Sequence, residues 1–336
     1  MVARTGLGDG PERALSAADP DPGQSCPACG GALLPWRSIP GGEPLDTQRY
    51  ELVRCASCAS AVREGAAPAA DAYETGQYGL EPPRMAAPVA SFQRIVSRQP
   101  VRFLRRAGVA PGARVLDIGA GPGRLVAALD EAGYMASGIE PSRRSAALAQ
   151  RAGHAVEQRD LFDHADSQLD AAVMWHVLEH LDDAPAALAT VRGWLRPGGL
   201  VLIGVPNLAS VQAEIAGDQW LHLDAPRHRI HFTADGVRRL LVRSGFEIVR
   251  THHLVFEQNP HAMWFALLTR LGMRPGFPFH FLKRNIDARP RDLLLTALGI
   301  ALLPLAAVLE AGAALTHRGG TVAVVARAAQ RDRTPE

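Results

Sequence analysis

The stretch "VLDIGAGPGRLVAALDEAGY", Val115 to Tyr134, decides the fold. It begins with the short apolar run "VLDI", which is typical of a buried β-strand. The glycine-rich "GAGPG" then bends the chain, and "RLVAALDEAGY" places apolar residues at helical spacing. A strand, a glycine loop and a helix in this order begin a Rossmann-like unit.

The same alternation continues along the chain. Apolar strand patterns recur in "MASGIE", "HAVEQ", "LDAAVMW", "LVLIGVPN" and "FEIVRTHHLV", and most are followed by helical patterns. A last strand, "TVAVVARAA", comes after a hydrophobic helical insertion at residues 256–318. The pattern predicts a doubly wound, seven-stranded α/β domain over residues 91–330.

The loop chemistry favours one class of ligand. The loop runs G-x-G-x-G from Gly119, and Arg124 stands where a dinucleotide fingerprint has its third glycine. Asp117, at the strand end, would repel a pyrophosphate but suits an ammonium group. Glu140, about twenty residues further on, can accept both ribose hydroxyls. These features predict a cofactor with an amino group and a ribose but no phosphate.

Five segments in order carry a family resemblance: "VLDIGAGPGRL", "GIEPS", "RDLF", "MWHVLEHLDD" and "WLRPGGLVLIGVPN". Together they resemble a class I S-adenosylmethionine-dependent methyltransferase over Ser91 to Ala328. In that family the glycine loop borders the methionine moiety, the acid after strand two the ribose, and the third motif the adenine. The resemblance implies a cofactor site of Asp117, Gly119, Ala120, Gly121, Gly123, Glu140, Asp160, Leu161, Trp175 and His176.

The segment "HVLEH", His176 to His180, also spells the zinc signature H-x-x-E-H of one metalloprotease class. That function needs both histidines one turn apart on a sustained helix. Here His176 directly follows a strand, and the next helix is better started by Asp182 or Asp183 as its N-cap. We therefore expect a turn beside the cofactor, with Glu179 and His180 mainly structural and His176 near cofactor or substrate.

All four cysteines lie near the N-terminus. Cys26 and Cys29 form one C-x-x-C pair, Cys55 and Cys58 form another, and residues 30–54 separate them. Two such turns complete a tetrahedral site without an open position, so the pattern predicts a structural Zn²⁺. The segment 25–62 resembles a zinc ribbon. A redox dithiol is the alternative, but it would stand near a βαβ unit.

Histidines concentrate in "GDQWLHLDAPRHRIHFT", between strand five and the next helix. A histidine titrates near neutrality and can remove a proton from a hydroxyl or an acidic carbon. The candidate catalytic residues are His176, His228 and His231. The equally weighted alternative is that these histidines hold the loop through backbone hydrogen bonds, since methyl transfer depends strongly on positioning.

The insertion contains the uncharged run Leu293 to Leu309, interrupted by Gly299 and Pro304. A membrane-spanning helix needs about 20 apolar residues, and this run falls between two strands of one sheet. Three interpretations stay open: a peripheral membrane contact through residues 261–309, a substrate cover, or a dimer surface. The membrane contact and the cover both favour a lipophilic substrate.

The net charge, the N-terminal tail and the linker complete the predictions from sequence. The formal net charge of +2 over 336 residues gives no case for nucleic-acid binding. Residues 1–24 lack an apolar secretory segment, which favours a disordered tail and a cytoplasmic protein, with peripheral membrane contact left open. Residues 63–90 form an expected linker, in which Tyr73 and Tyr78 are either surface residues or a lid over the cofactor.

The sequence thus predicts methyl transfer from S-adenosylmethionine to an oxygen, carbon or nitrogen of a small, lipophilic metabolite. The competing hypothesis is a non-catalytic methyltransferase-like binding module, recruited to a partner through its ribbon. The intact glycine loop and Glu140 favour the enzyme. The oligomeric state stays open at this level.

Overall fold

The computed structural model describes residues 25–44, 46–68, 84, 91, 93–256 and 259–329. The expected tail at 1–24 lies outside the described residues, as do Tyr73 and Tyr78 with most of the linker at 63–90. The strands are β1 Leu33–Pro40, β2 Arg49–Cys55, β3 Ala61–Arg63, β4 Arg114–Ile118, β5 Met135–Glu140, β6 Val156–Gln158, β7 Leu169–Trp175, β8 Leu195–Pro206, β9 Ile230–His231, β10 Phe246–His252 and β11 Thr321–Ala328.

Seven of these strands form the central sheet, in the order β10-β11-β8-β7-β4-β5-β6. The pairs within β8-β7-β4-β5-β6 are parallel, whereas β11 runs antiparallel to both of its neighbours. The strand order reverses beside β4, where an open α/β sheet has its ligand crevice at the carboxyl ends. The predicted seven-stranded Rossmann-like fold is confirmed.

Helices cover the sheet: α1 Arg98–Arg106, α2 Arg124–Glu131, α3 Arg143–Arg151, α4 Ala184–Trp194, α5 Val211–Ala216 and α6 Ala234–Arg243. Their starts follow from capping. The Asp183 side chain accepts from the backbone N–H of Ala186 at 2.9 Å, and Thr233 accepts from Gly236 at 2.9 Å. β7 is almost fully buried because helices pack on both faces of the sheet.

The N-terminal segment does not form a separate body. β1, β2 and β3 form an antiparallel sheet whose fourth strand is β9, from the loop before α6. The Thr233 hydroxyl donates to the Cys58 carbonyl at 2.7 Å, and the Thr233 N–H donates to Ser60 Oγ at 3.1 Å. The sequence separates residues 25–62 from residues 91–330 as two modules, but the structure joins them in one sheet and one core.

The insertion before β11 is helical, as the apolar pattern predicts. It contains α7 Asn259–Arg270, α8 Phe277–Leu282, α9 Pro290–Gly299 and α10 Leu303–Leu315. A 3₁₀ turn at Ile300–Leu302 makes α9 and α10 continuous. Met263, Leu268 and Phe277 are buried in a separate hydrophobic cluster, which packs through Val211 and Leu221 onto the rest of the domain.

Candidate active site

The glycine loop between β4 and α2 needs its glycines. Gly119, Gly121 and Gly123 have φ angles of 72°, 53° and 80°, in the left-handed region that other residues rarely adopt. A Cβ on Gly119 would also lie 2.5 Å from Val177 Cγ2. The loop therefore packs closely against the turn after β7, as a backbone that approaches a ligand must.

Glu140 ends β5 directly beside this loop. Its carboxylate is buried and accepts from the backbone N–H groups of Gly121 and Ser142, both at 2.8 Å. Burial raises the pKa of Glu140, and the two backbone hydrogen bonds oppose that shift. The carboxylate thus braces the loop at the position where the sequence predicts a ribose.

The other predicted cofactor residues lie along the same edge of the sheet. Asp117 is buried in β4, and the Ala120 N–H donates to the Ile139 carbonyl at 3.0 Å. Asp160 is exposed and caps a 3₁₀ turn by accepting from Phe162, whereas Leu161 is buried. Because β4, β5 and β6 are parallel, their carboxyl ends bring these residues to one crevice.

The segment of Trp175 to His180 is a turn rather than a helix. Trp175 ends β7, and its ring lies so close to Gly204 that a Cβ there would be 2.5 Å away. His176 has a φ of 56°, and Leu178–His180 is a single 3₁₀ turn. This geometry contradicts the sustained helix of the metalloprotease interpretation and agrees with the predicted turn.

Within the turn, His176 Nδ1 lies 3.1 Å from Glu179 Oε1. Glu179 is 1% exposed, yet hydrogen bonding from His176 and the positive charge it carries when protonated overcome burial and lower the pKa of Glu179 to about 2. Its other oxygen, Oε2, has no hydrogen-bond partner among the described residues. The carboxylate is therefore ionised in the folded protein, and its contact with His176 agrees with a role in holding the turn.

Glu179 lines a narrow pocket at the carboxyl ends of β7 and β8, a closed cleft that has no room for a water molecule in this structure. The pocket lining is Glu179, Pro206, Leu208, Trp220, His222, His228, Ile230 and His231. The loop with the histidines is held over it, since the Arg229 N–H donates to the Glu179 carbonyl at 2.7 Å. The pocket therefore lies next to the glycine loop along the same sheet edge.

The two candidate histidines of this loop differ in their contacts. His228 Nδ1 is 2.8 Å from the His222 carbonyl, the backbone contact expected of a loop-holding residue. His231 is buried, and its Nε2 has no hydrogen-bond partner among the described residues. Burial lowers the pKa of His231 to about 3, so its imidazole is neutral at physiological pH. The same burial makes this imidazole a weak base, and its Nε2 has almost no surface exposed to solvent.

Two groups in the described residues have metal-ligand geometry. Glu179, His180 and His228 have ligand atoms within 4.8 Å of one another, and so do the four cysteines. The Sγ atoms of Cys26 and Cys58 are 3.7 Å apart, and those of Cys29 and Cys55 are 3.4 Å apart. Zn–S bonds of about 2.3 Å require Sγ atoms about 3.8 Å apart in a tetrahedron, so the cysteine set fits Zn²⁺.

A cluster that the sequence did not indicate ties the ribbon to the pocket loop. Arg227 is 3% exposed and forms ion pairs with Asp224 and with Glu43, the latter at 2.9 Å. Glu43 comes from the β1–β2 connection of the ribbon. A lone glutamate in a Gly- and Pro-rich turn carries no signal of this contact.

Comparisons with known proteins agree with this geometry. Residues 92–251 match the family model Methyltransf_23, described as a methyltransferase domain. Ubiquinone biosynthesis O-methyltransferase of Dinoroseobacter shibae is 28% identical over 174 residues, which are 47% of this chain and 69% of that protein. Malonyl-[acyl-carrier protein] O-methyltransferase of Serratia marcescens is 30% identical over 146 residues, covering 41% and 54%.

A solved methyltransferase from Archaeoglobus fulgidus has a TM-score of 0.46 and 18% identity, over 70% of this chain and 94% of that chain. The family match and the named relatives identify residues 92–251 as a class I S-adenosylmethionine-dependent methyltransferase domain.

Proposed function

We propose that the chain methylates a small, lipophilic metabolite that binds against the histidine-containing loop, with the cofactor held by the glycine loop and Glu140. One observation carries this proposal. The Glu140-braced loop and the pocket of Glu179, His228 and His231 lie on one sheet edge, joined by the Val177 contact to Gly119. Donor and acceptor sites must be adjacent in this way for an in-line transfer.

S-adenosylmethionine supplies an electrophilic methyl group on a sulfonium when it is bound. The chain's own residues orient it in this proposal. Glu140 keeps free lone pairs for the ribose hydroxyls, while the buried Asp117 carboxylate provides negative charge for the amino group. Asp160 and Leu161 border the adenine, and Trp175 and His176 the floor of the site.

On the acceptor side, we assign the base to His231 and the positioning role to His228. The Nε2 of His231 has no hydrogen-bond partner among the described residues, whereas the Nδ1 of His228 contacts the loop backbone. With cofactor and acceptor bound, His231 would take the proton of the acceptor hydroxyl or acidic carbon as that atom attacks the methyl carbon, and the sulfonium sulfur would leave with the electron pair of its bond to the methyl carbon. The anionic Glu179, paired with His176, stabilises positive charge that develops in this pocket.

The ribbon has a supporting role in the same proposal. The four cysteines hold one structural Zn²⁺, which fixes β3 and, through β3, the loop strand β9. His231 lies in β9 opposite Ala61, so the metal site secures the backbone of the proposed base.

The acceptor is lipophilic in this proposal for two reasons. One relative is named for ubiquinone biosynthesis, and the insertion of this chain exposes apolar side chains beside the pocket loop. A cytoplasmic enzyme with peripheral membrane contact through residues 261–309 fits both features. The strands β10 and β11 fix both ends of the insertion to the central sheet, and its helices can still contact lipid or substrate.

A methyl-transfer assay tests the assignment. Radiolabelled S-adenosylmethionine would be incubated with dihydroxybenzenes that carry alkyl tails of increasing length. We expect His231→Ala to lower kcat by about 10²–10⁴-fold with the cofactor Kd unchanged. His228→Ala should instead raise KM and lower the melting temperature, because it releases the loop.

The matched control is His154→Ala, since His154 lies outside the pocket lining and beside the glycine loop. Equal kcat in the His231→Ala enzyme and the unmodified enzyme would remove His231 from the mechanism. No methylated product with any tail length, in an enzyme that binds the cofactor, would contradict the lipophilic acceptor.

A further inference from the structure

Most of the continuous helix Pro290–Leu315 is exposed. By length and composition it could cross a membrane, and 17% of its most apolar window is buried. Its buried residues are Asp292, Gly299, Ala306, Glu310, Ala313 and Ala314. At about 100° per residue they form one stripe with an arc of about 100°, and the rest of the helix circumference is uncovered.

The uncovered surface is apolar on both sides of that stripe. At about 100° per residue, Leu293 and Leu298 lie on opposite flanks of it. The exposed apolar side chains are Leu293, Leu294, Leu298, Ile300, Leu303, Leu305, Val308, Leu309 and Leu315. A soluble monomer rarely exposes a contiguous apolar surface of this size.

Glu310 is the one charged residue between Leu293 and Leu315, and it points inward. It is 1% exposed, accepts from the Gly320 N–H at 2.7 Å and from Gln212 Nε2 at 3.1 Å. The exposed arc is therefore free of charge from Leu293 to Leu315. Arg289 and Arg291 stand exposed at its start, where cations can meet anionic groups.

The helix cannot cross a bilayer in this fold. Its 26 residues extend about 39 Å, and it is attached to the domain along that length. Arg274 Nε donates to Asp292 at 2.6 Å near one end, and Trp264 Nε1 donates to the Gly299 carbonyl at 2.7 Å in the middle. Near the other end, Glu310 bonds Gly320, which precedes β11 of the central sheet.

We propose that this helix lies in the plane of an anionic membrane surface, with the exposed arc in the acyl region. Lipid chains cover an arc of any width, whereas a flat protein partner covers one side of a helix. The arginines at its start match the charge of anionic headgroups. The occupant is thus a lipid surface, and the contact is in-plane rather than spanning.

A hydrogen-bonded chain links this helix to the acceptor pocket. Glu310 accepts from Gln212, and Gln212 Oε1 accepts from Trp220 Nε1 at 3.1 Å. Trp220 lines the pocket with the histidines. Resting on the proposed function, the membrane contact therefore places the pocket loop next to the lipid surface from which a lipophilic acceptor would enter.

Flotation with vesicles tests the contact on the full-length, zinc-loaded protein. The vesicles would hold equal parts phosphatidylcholine and phosphatidylglycerol, with pure phosphatidylcholine as the uncharged comparison. We expect the unmodified protein to float with the mixed vesicles and less with the neutral ones. Leu298→Glu combined with Val308→Glu, at side chains 64% and 67% exposed, should reduce bound protein at least about tenfold.

The matched control is Val242→Glu combined with Leu148→Glu, which adds the same charge at exposed apolar positions of α6 and α3. It should float like the unmodified protein, and cofactor binding should be equal in all three proteins. Unchanged flotation of the Leu298→Glu/Val308→Glu protein would overturn the proposal. The proposal would also be overturned if the unmodified protein bound no vesicles but formed a dimer that the two substitutions dissociated. Methyl transfer to a short-tailed acceptor is measured separately, so failure of the membrane contact leaves the proposed function testable.

Discussion

At the residue scale, Glu140 has two roles. Its carboxylate braces the glycine loop through Gly121 and caps the start of the next segment through Ser142. The same group is the proposed acceptor for the ribose hydroxyls. Four lone-pair sites on a carboxylate are enough for both sets of hydrogen bonds.

Glu140→Ala should weaken S-adenosylmethionine binding at least about tenfold. Each charge-assisted hydrogen bond contributes about 1.5–3 kcal/mol, and about 1.4 kcal/mol changes Kd tenfold. Glu140→Gln should give a Kd between the two, because its amide keeps one acceptor oxygen but turns an N–H₂ toward one backbone donor. Calorimetry measures both values.

Glu157→Ala is the control, since Glu157 is an exposed glutamate on the neighbouring strand β6. It should bind the cofactor like the unmodified protein. NAD should not compete in any of these proteins, because Asp117 disfavours a pyrophosphate. Tight NAD binding without S-adenosylmethionine binding would contradict the assignment of the loop.

The pocket residues show which properties of the site can be predicted from residue patterns and which cannot. The strand before His176 and the N-cap at Asp182 or Asp183 predicted a turn at H-x-x-E-H, and the family resemblance marked His176 as a candidate. These patterns did not separate His231 from His228, because their difference lies in what each ring nitrogen contacts. Nor did they show that Glu179 is buried with an oxygen facing the pocket, since that depends on the loop that covers it.

At the element scale, the short pairing of β3 with β9 connects the ribbon to the pocket. The pairing places Ala61 opposite His231, and the Arg63 N–H donates to the Arg229 carbonyl at 2.9 Å. Thr233, the N-cap of α6, adds its bond to Cys58. The positions of β3, β9 and the start of α6 are thus linked to the turn that contains Cys55 and Cys58.

Removal of the metal should therefore increase the flexibility of the pocket loop. We expect one zinc per chain by elemental analysis, and its loss after treatment with a chelator or in Cys55→Ser. Hydrogen exchange should then rise in residues 25–63 and also in residues 225–233, while β4, β7 and β8 stay protected. The cause is the loss of the β3–β9 pairing, since the ribbon sheet depends on the metal.

Ser57→Ala is the matched variant, because Ser57 lies in the same turn as Cys55 but is not a cysteine ligand. It should keep its zinc and its exchange pattern. If residues 225–233 stay protected in metal-free protein, the ribbon is an independent module. That result would support the two-module organisation that the sequence predicts.

At the scale of the whole molecule, the buried histidines set how stability varies with pH. Burial lowers the pKa of His231 to about 3, and burial with neighbouring histidines lowers the pKa of His222 well below its ordinary value. In the unfolded chain both titrate near about 6.5. As pH falls below this value, the unfolded state binds protons that the folded state does not.

The free energy of unfolding should therefore decrease as the pH falls from about 6.5 to about 3, the folded-state pKa of His231. Each such group contributes a slope of up to about 1.4 kcal/mol per pH unit in that window. Above the window both states are neutral at these positions, so the contribution is constant. Urea unfolding at a series of pH values measures the slope, and His231→Gln should make it shallower. A slope equal in both proteins would show that His231 is protonated in the folded state.

The sequence by itself determined the sheet, the glycine loop, the grouping of the four cysteines and the starts of α4 and α6. Each of these depends on residues close together in the chain, where spacing fixes which side chains share a face or a turn. The structure alone decided that the ribbon and the pocket share a sheet, through contacts such as Thr233 to Cys58 across 175 positions. It also decided how much of the helix Pro290–Leu315 is exposed. An apolar run is the same sequence whether it is exposed or buried, because burial depends on which other elements pack against it.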